Sequence, residues 1–209
     1  ELSNDKKKSS FISQIRHRFP FPYSPQLPYR LDRIACGSAM AALTPESIAF
    51  YNEQIRNRNW HKWYAAKIWA HPQKEMEQFL GIQKAYFKRK GRKAEIVRAG
   101  GKPGFLEILY LEPTAKQQQW YALIRLLTGR YHQIRATFSH LGIPLVGDWL
   151  YGSGKEDENA FYLEHIALKY PDFLNKKWKV AFWAENPERE SLSTNFIEQL
   201  QNQIKEKRP

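Results

Sequence analysis

Residues 126–152 constrain the chain more than any other stretch, because a strand end, a turn, a helix and a helix stop follow one another there in readable order. Residues 120–127 form an apolar, β-compatible run, and Thr128-Gly129 marks a turn. Ile134, Phe138 and Leu141 then recur at the spacing that puts them on one face of a short helix. Gly142 and Pro144 stop it. This segment carries Arg130, His132, Gln133 and Arg135, more hydrogen-bonding capacity than a short amphipathic helix needs in order to fold, so part of it is expected to serve a ligand.

The identity of that ligand is narrowed by charge. The 209 residues carry a formal net charge of +12, a balance that calls for a polyanionic partner, either nucleic acid or an anionic membrane surface. No run approaches the ~20 apolar residues of a membrane span, so membrane insertion is excluded. A peripheral membrane protein would need an amphipathic basic helix. The most basic stretch, residues 84–102, has eight basic residues against the single acid Glu95 but is broken by Gly91, Gly100 and Gly101. It reads as a charged hairpin or loop, either a solvated face or an RNA-backbone contact, and its cations Lys88, Arg89, Lys90, Arg92 and Lys93 are candidate RNA contacts. Cys36 is the single cysteine, which rules out an intrachain disulfide and a cysteine-based zinc site. With no recognisable secretory leader, a cytoplasmic setting is expected. The first residue is Glu1, so the chain is expected to be a processed or trimmed piece.

Elsewhere the pattern is strand-rich with interspersed helices. Residues 1–28, with Lys6-Lys7-Lys8, Arg16, Arg18 and four prolines, read as a basic, proline-rich arm and linker. Thr44-Pro45-Glu46 opens a helix expected over residues 45–58. Strands are expected at residues 62–70, 105–111, 120–127, 161–170 and 179–183, and Phe196, Leu200 and Ile204 mark a C-terminal helix. Strands often adjacent in sequence argue an α+β fold with a largely antiparallel mixed sheet and flanking helices. Residues 29–190 would form the main domain, with residues 191–209 a helix packed on it.

Three strings carry the chemistry: Tyr29-Arg30-Leu31-Asp32-Arg33, Lys62-Trp63-Tyr64-Ala65-Ala66 and Thr128-Gly129-Arg130-Tyr131-His132-Gln133-Ile134-Arg135. Taken singly, Asp32 between two arginines could be a surface ion pair, and Tyr64 an ordinary core tyrosine. In order and approximate spacing, however, the strings resemble the motifs of the RluA-type pseudouridine synthases, which isomerise uridine in RNA. The segment from Leu141 through Gly147-Asp148 to Gly152 looks like that family's Leu-Gly-His-Pro-Leu-Leu-Gly-Asp-Pro-Leu-Tyr-Gly.

The resemblance implies Asp32 as nucleophile, Arg135 as its counter-ion, and Tyr64 stacked on the target base and acting as a base. It implies that Arg30 helps displace the target nucleotide. Arg33, Lys62, Arg130, His132 and Gln133 join the hairpin cations as expected RNA contacts, the RNA being rRNA or tRNA. A carboxylate can form and release a covalent adduct unaided, so no cofactor is expected. No metal is expected either, since His132 and His140 lack a third ligand and read as structural. No obligate protein partner is evident. The chain departs from the family pattern at Tyr29, Ala35 and Cys36, where the family has His, Thr and Ser, and the family's upstream Asn-Lys-Pro-Ser-Gly segment has no clear counterpart. A synthase-like RNA-binding protein with impaired catalysis is therefore the alternative.

Overall fold

The structure is a computed structural model that describes residues 11–18, 24–70, 75–152, 161–182 and 191–206. Of the expected arm, only α1 (Phe11–Arg18) and residues 24–28 fall among these, and α1 buries no residue. The Lys6-Lys7-Lys8 run lies outside the described residues.

The helix expected after Thr44 is α2 (Pro45–Arg56). Its cap is reciprocal: the Thr44 hydroxyl accepts the Ser47 N–H at 3.2 Å, and the Ser47 hydroxyl accepts the Thr44 N–H at 3.1 Å. That satisfies two groups which a helix start otherwise leaves unpaired.

The strands are β1 (Cys36–Gly37), β2 (His61–Trp69), β3 (Gly81–Lys90), β4 (Lys93–Val97), β5 (Lys102–Pro113), β6 (Gln119–Leu126), β7 (Leu163–Pro171) and β8 (Trp178–Phe182). They join in one sheet of order β1-β7-β2-β6-β5-β3-β4, with β8 also on β7. Every pairing is antiparallel except that of β1 with β7, as the strand-rich pattern led one to expect. The basic stretch at residues 84–102 is the β3–β4 hairpin, turned at Gly91, rather than a loop. β5 begins three residues earlier than its apolar run suggests, because Lys102, Pro103 and Gly104 also pair with β3.

Side-chain alternation divides the sheet into two faces. On one, Tyr64, Ala66 and Ile68 of β2 and Ala122, Ile124 and Leu126 of β6 pack against Ile134 and Phe138 of α3 (Gln133–His140). On the other, Trp63, Ala65 and Leu123 pack against Phe196 and Leu200 of α4 (Thr194–Glu206). Phe138 and Phe196 are fully buried, one per face, and truncating either to Ala would cost about 3–5 kcal/mol. The face covered by α3 is the one that opens into a cleft.

Candidate active-site cleft

The cleft has a volume of about 560 Å3 and is lined by residues from six parts of the chain, among them Arg30, Asp32, Lys62, Tyr64, Arg89 and Arg130. Its described lining holds four cations and the single carboxylate of Asp32. All three motif strings therefore reach one place.

Asp32 sits on the loop that leads into β1. The Asp32 carbonyl accepts the Ala35 N–H at 2.9 Å, and β1 pairs in parallel with Glu164 and His165 of β7. The Ser38 N–H then donates to the His165 carbonyl at 2.9 Å. Gly37 allows this approach: its φ is +103°, and a Cβ there would stand 2.4 Å from the His165 carbonyl oxygen. The loop after Asp32 is thus held by backbone hydrogen bonds, without a hydroxyl at Ala35 or Cys36.

Tyr64 projects from β2 on the same face as Lys62, two residues before it, and is 5% exposed. Its ring stacks on His165, with centroids 4.7 Å apart and planes 22° from parallel. Burial, and then the nearby Tyr29 and Asp32, push the phenol pKa upward, so the cleft holds Tyr64 as a neutral hydroxyl.

His165 is itself fully buried. Its Nδ1 lies 2.6 Å from the Ser38 carbonyl, which fixes the proton on that nitrogen because a carbonyl only accepts. Burial first, opposed by that hydrogen bond and aided by the charge of Lys62, lowers its pKa to about 4. Tyr29 donates to the same carbonyl at 3.0 Å and meets the His165 ring edge-on. The Tyr64 backing was not visible in the motifs: it depends on the β2–β7 register, which shifts between Trp63 and Tyr64.

Arg135 stands behind the cleft rather than in its lining. Its Nε and Nη2 each donate to Asp148 at 2.7 Å, a fork between two side chains that are 4% and 1% exposed. Burial draws the guanidinium pKa down, but the hydrogen bonds and charge of Asp148, and then the charge of Asp32, outweigh it, and the net direction is up. The resemblance implied Asp32 as the partner of Arg135. The structure gives the hydrogen-bonded fork to Asp148, while Asp32 acts on Arg135 through its charge.

His132 and Gln133, expected to contact RNA, both make side-chain contacts within the protein. His132 opens α3 with φ +50°, stacks on Tyr131 at 3.9 Å and lies 3.0 Å from the Tyr151 hydroxyl. Burial, followed by the charges of Arg135, Arg30 and Arg89, lowers its pKa to about 4. The Gln133 side-chain oxygen accepts the Thr128 hydroxyl and the Arg130 N–H, both at 2.9 Å, while its amide donates to the Phe105 carbonyl at 2.9 Å. Gln133, which also lines the cleft, thereby closes the turn against β5, while His132 is held between Tyr131 and Tyr151.

The cations divide by position. Lys62 is desolvated in the cleft wall, 5.6 Å from the centre of the Tyr29 ring, and burial lowers its pKa to about 8. Arg130 donates Nε–H to the Pro103 carbonyl at 2.7 Å. Arg89 and Arg30 approach the Tyr131 ring, at 4.4 and 5.6 Å from its centroid. Of the hairpin cations only Arg89 reaches the cleft; Lys88, Lys90, Arg92 and Lys93 are exposed along it, Lys90 paired with Glu95 at 3.1 Å. Arg33 is exposed and outside the cleft lining. Among the described residues, no group of three metal-binding side chains is assembled.

The family described as RNA pseudouridylate synthase matches residues 3–140, so the match takes in the N-terminal arm that the motif strings leave out. An uncharacterised RNA pseudouridine synthase of Haemophilus influenzae is 28% identical over 151 residues, covering 71% of this chain. The chain spans 64% of that relative's length. The dual-specificity RNA pseudouridine synthase RluA of Escherichia coli is 26% identical over 175 residues, 82% of this chain and 78% of that protein. Among solved structures, human RNA pseudouridylate synthase domain containing 1 superposes with a TM-score of 0.72 at 22% identity, covering 92% of this chain and 84% of that one, which shows a shared fold.

Proposed function

The chain belongs to the RNA pseudouridylate synthase family, and from that premise we propose that it isomerises a uridine in structured RNA, an rRNA or a tRNA, to pseudouridine in the cytoplasm. The observation that carries the reading is the single carboxylate, Asp32, set among four cations in a cleft whose wall holds Tyr64. A polyanion is drawn in by such a lining, and the carboxylate is left as the one nucleophile beside the target.

In this reading the target nucleotide leaves its stack to enter the cleft, as it must for any chemistry on a base. Arg30 helps displace it, and its uracil lies against Tyr64. The Asp32 carboxylate adds to the sugar or the base, the bond from N1 to the sugar breaks, and the uracil turns. Carbon C5 then bonds to the sugar, the proton on C5 is lost, N1 ends protonated, and the carboxylate is regenerated. Atoms and electrons balance without oxidant or reductant, so no cofactor is required. Arg135, locked to Asp148, contributes fixed positive charge behind Asp32 that favours its ionised state. The neutral Tyr64 hydroxyl stands ready to donate or relay a proton.

The alternative, a synthase-like RNA-binding protein with impaired catalysis, rests on the residues after Asp32 and on the upstream segment that has no clear counterpart; the backbone bonds that hold the Asp32 loop favour the catalytic reading over it. Release of tritium from RNA labelled at uracil C5 tests the reading, together with mapping of pseudouridines in cellular RNA with and without the gene. Tritium release that depends on Asp32 and a pseudouridine that vanishes with the gene are expected. Tight RNA binding with no release from any cellular RNA would overturn the reading.

A further inference from the structure

Two hollows meet at Tyr131. The cleft containing Asp32 and Tyr64 shares Arg89, Gly129, Arg130 and Tyr131 with a second groove of about 370 Å3, which extends along the β3–β4 hairpin to Phe87, Lys88 and Lys102. The described lining of the groove holds four cations, Lys88, Arg89, Lys102 and Arg130, and no carboxylate. Gathering like charges without an acid disfavours the empty site and favours an anion in it.

The shared wall is held from several sides. His132 covers one face of the Tyr131 ring at 3.9 Å and 18°, so the Arg89 guanidinium, 4.4 Å from the ring centroid, takes the other. Arg89 Nε also donates to the Gly91 carbonyl at 3.2 Å. Arg130 is fixed through Nε to the Pro103 carbonyl. Gly104 makes room for this packing: a Cβ there would lie 2.5 Å from the Phe87 ring and 3.1 Å from the Arg130 side chain. The guanidinium of Arg89 is thereby set, before any ligand arrives, on the ridge between two cavities.

Two hollows separated by a fixed guanidinium match a dinucleotide step, two nucleosides joined by one phosphate, and a guanidinium fork suits a phosphate's oxygens. We propose that the groove seats the nucleotide next to the target uridine and that the phosphate joining the two is held at Arg89 above Tyr131. The inference rests on the isomerase reading and adds a neighbour subsite to it.

The test uses the RNA hairpin carrying the isomerised uridine, with the phosphate on its 5′ or its 3′ side replaced in turn by an uncharged methylphosphonate. For the unaltered protein, one of the two replacements should raise KM about tenfold, the loss of one charge-assisted contact, and leave kcat within about twofold. Arg89→Met should raise KM on the unmodified hairpin by a similar factor and show no further rise with that methylphosphonate. Arg89→Lys, which keeps the charge and loses the fork, should fall between, and serves if Arg89→Met does not fold. Lys102→Met should weaken binding and flatten its salt dependence while remaining sensitive to the methylphosphonate. Indifference of the unaltered protein to both replacements, or effects of Arg89→Met and methylphosphonate that multiply, would overturn the subsite. If no RNA is isomerised, the isomerase reading fails instead. The same replacements in a hairpin with a uridine loop are then read by fluorescence anisotropy: sensitivity lost in Arg89→Met upholds the subsite, and sensitivity retained overturns it.

Discussion

Arg135 and Asp148 form a two-point fork, 2.7 Å at each contact, between side chains that are almost wholly removed from water. The guanidinium also lies 4.9 Å from the centre of the Tyr151 ring, and its Nη1 faces His132. The Arg135 guanidinium is thus set in place by a carboxylate 13 residues further along the chain.

Removing one partner of such a pair leaves a buried charge unmatched, which costs about 3–5 kcal/mol. Asp148→Ala should lower stability by that amount in chemical denaturation and reduce isomerisation as well. An unchanged denaturation midpoint would mean that Arg135 has found another anion.

Asp32→Asn keeps the size of the side chain and the backbone bonds of its loop. Folding and RNA affinity should stay near those of the parent, while tritium release from uracil C5 falls to background. Pseudouridine formation by the variant would remove Asp32 from the nucleophile's role.

Lys62 provides a signature in pH. Its pKa is near 8 in the folded cleft, against about 10.5 in an unfolded chain. Below pH 8 both states are protonated and burial of the ammonium is a constant cost. Between about pH 8 and 10.5 the unfolded chain binds more protons, so this group makes stability rise with pH. Lys62→Met should gain about 1–2 kcal/mol at pH 7, a figure reduced for partial solvation, and the gain should shrink above pH 8. It should also lower RNA affinity and reduce the salt slope by about one unit. Thermal melts at pH 7 and pH 9.5, with anisotropy titrations at several salt concentrations, check both arms.

His132 and His165 act at the acid end. Each is neutral when folded down to about pH 4 and charged when unfolded below about 6.5. Stability supplied by their neutral forms is present above pH 6.5 and lost as pH falls towards 4. Replacing His165 with Phe should reduce proton uptake on unfolding at pH 5 by about one, about 1.4 kcal/mol per pH unit. A slope identical to the parent's would show that His165 is charged in the folded protein.

Much of the site was legible in the sequence because three strings name residues that the fold must bring together. Asp32, Tyr64, Lys62, Arg89 and Arg130 do line one cleft. The strings could not say what lies opposite each residue once the sheet has formed. The fork from Arg135 to Asp148 and the His165 ring behind Tyr64 are set by the path after α3 and by the β2–β7 register. The protein contacts of His132 and Gln133 were hidden for a different reason: a polar residue in a first helical turn serves a ligand, closes the turn itself or does both, and composition does not distinguish these. The fold class was easier, since apolar, β-compatible runs that follow one another in the chain pair as antiparallel neighbours, as β5 and β6 do.

The two-residue strand β1 has a mechanical consequence. The loop bearing Asp32 is sewn to β7 at Glu164 and His165, and the His165 ring is the backing plate of Tyr64. Asp32 and Tyr64, although they come from chain segments some 30 residues apart, therefore share one mount. In the proposed reaction that mount would carry the two side chains together as the sheet flexes, and the gap in which a uracil must turn would keep its width.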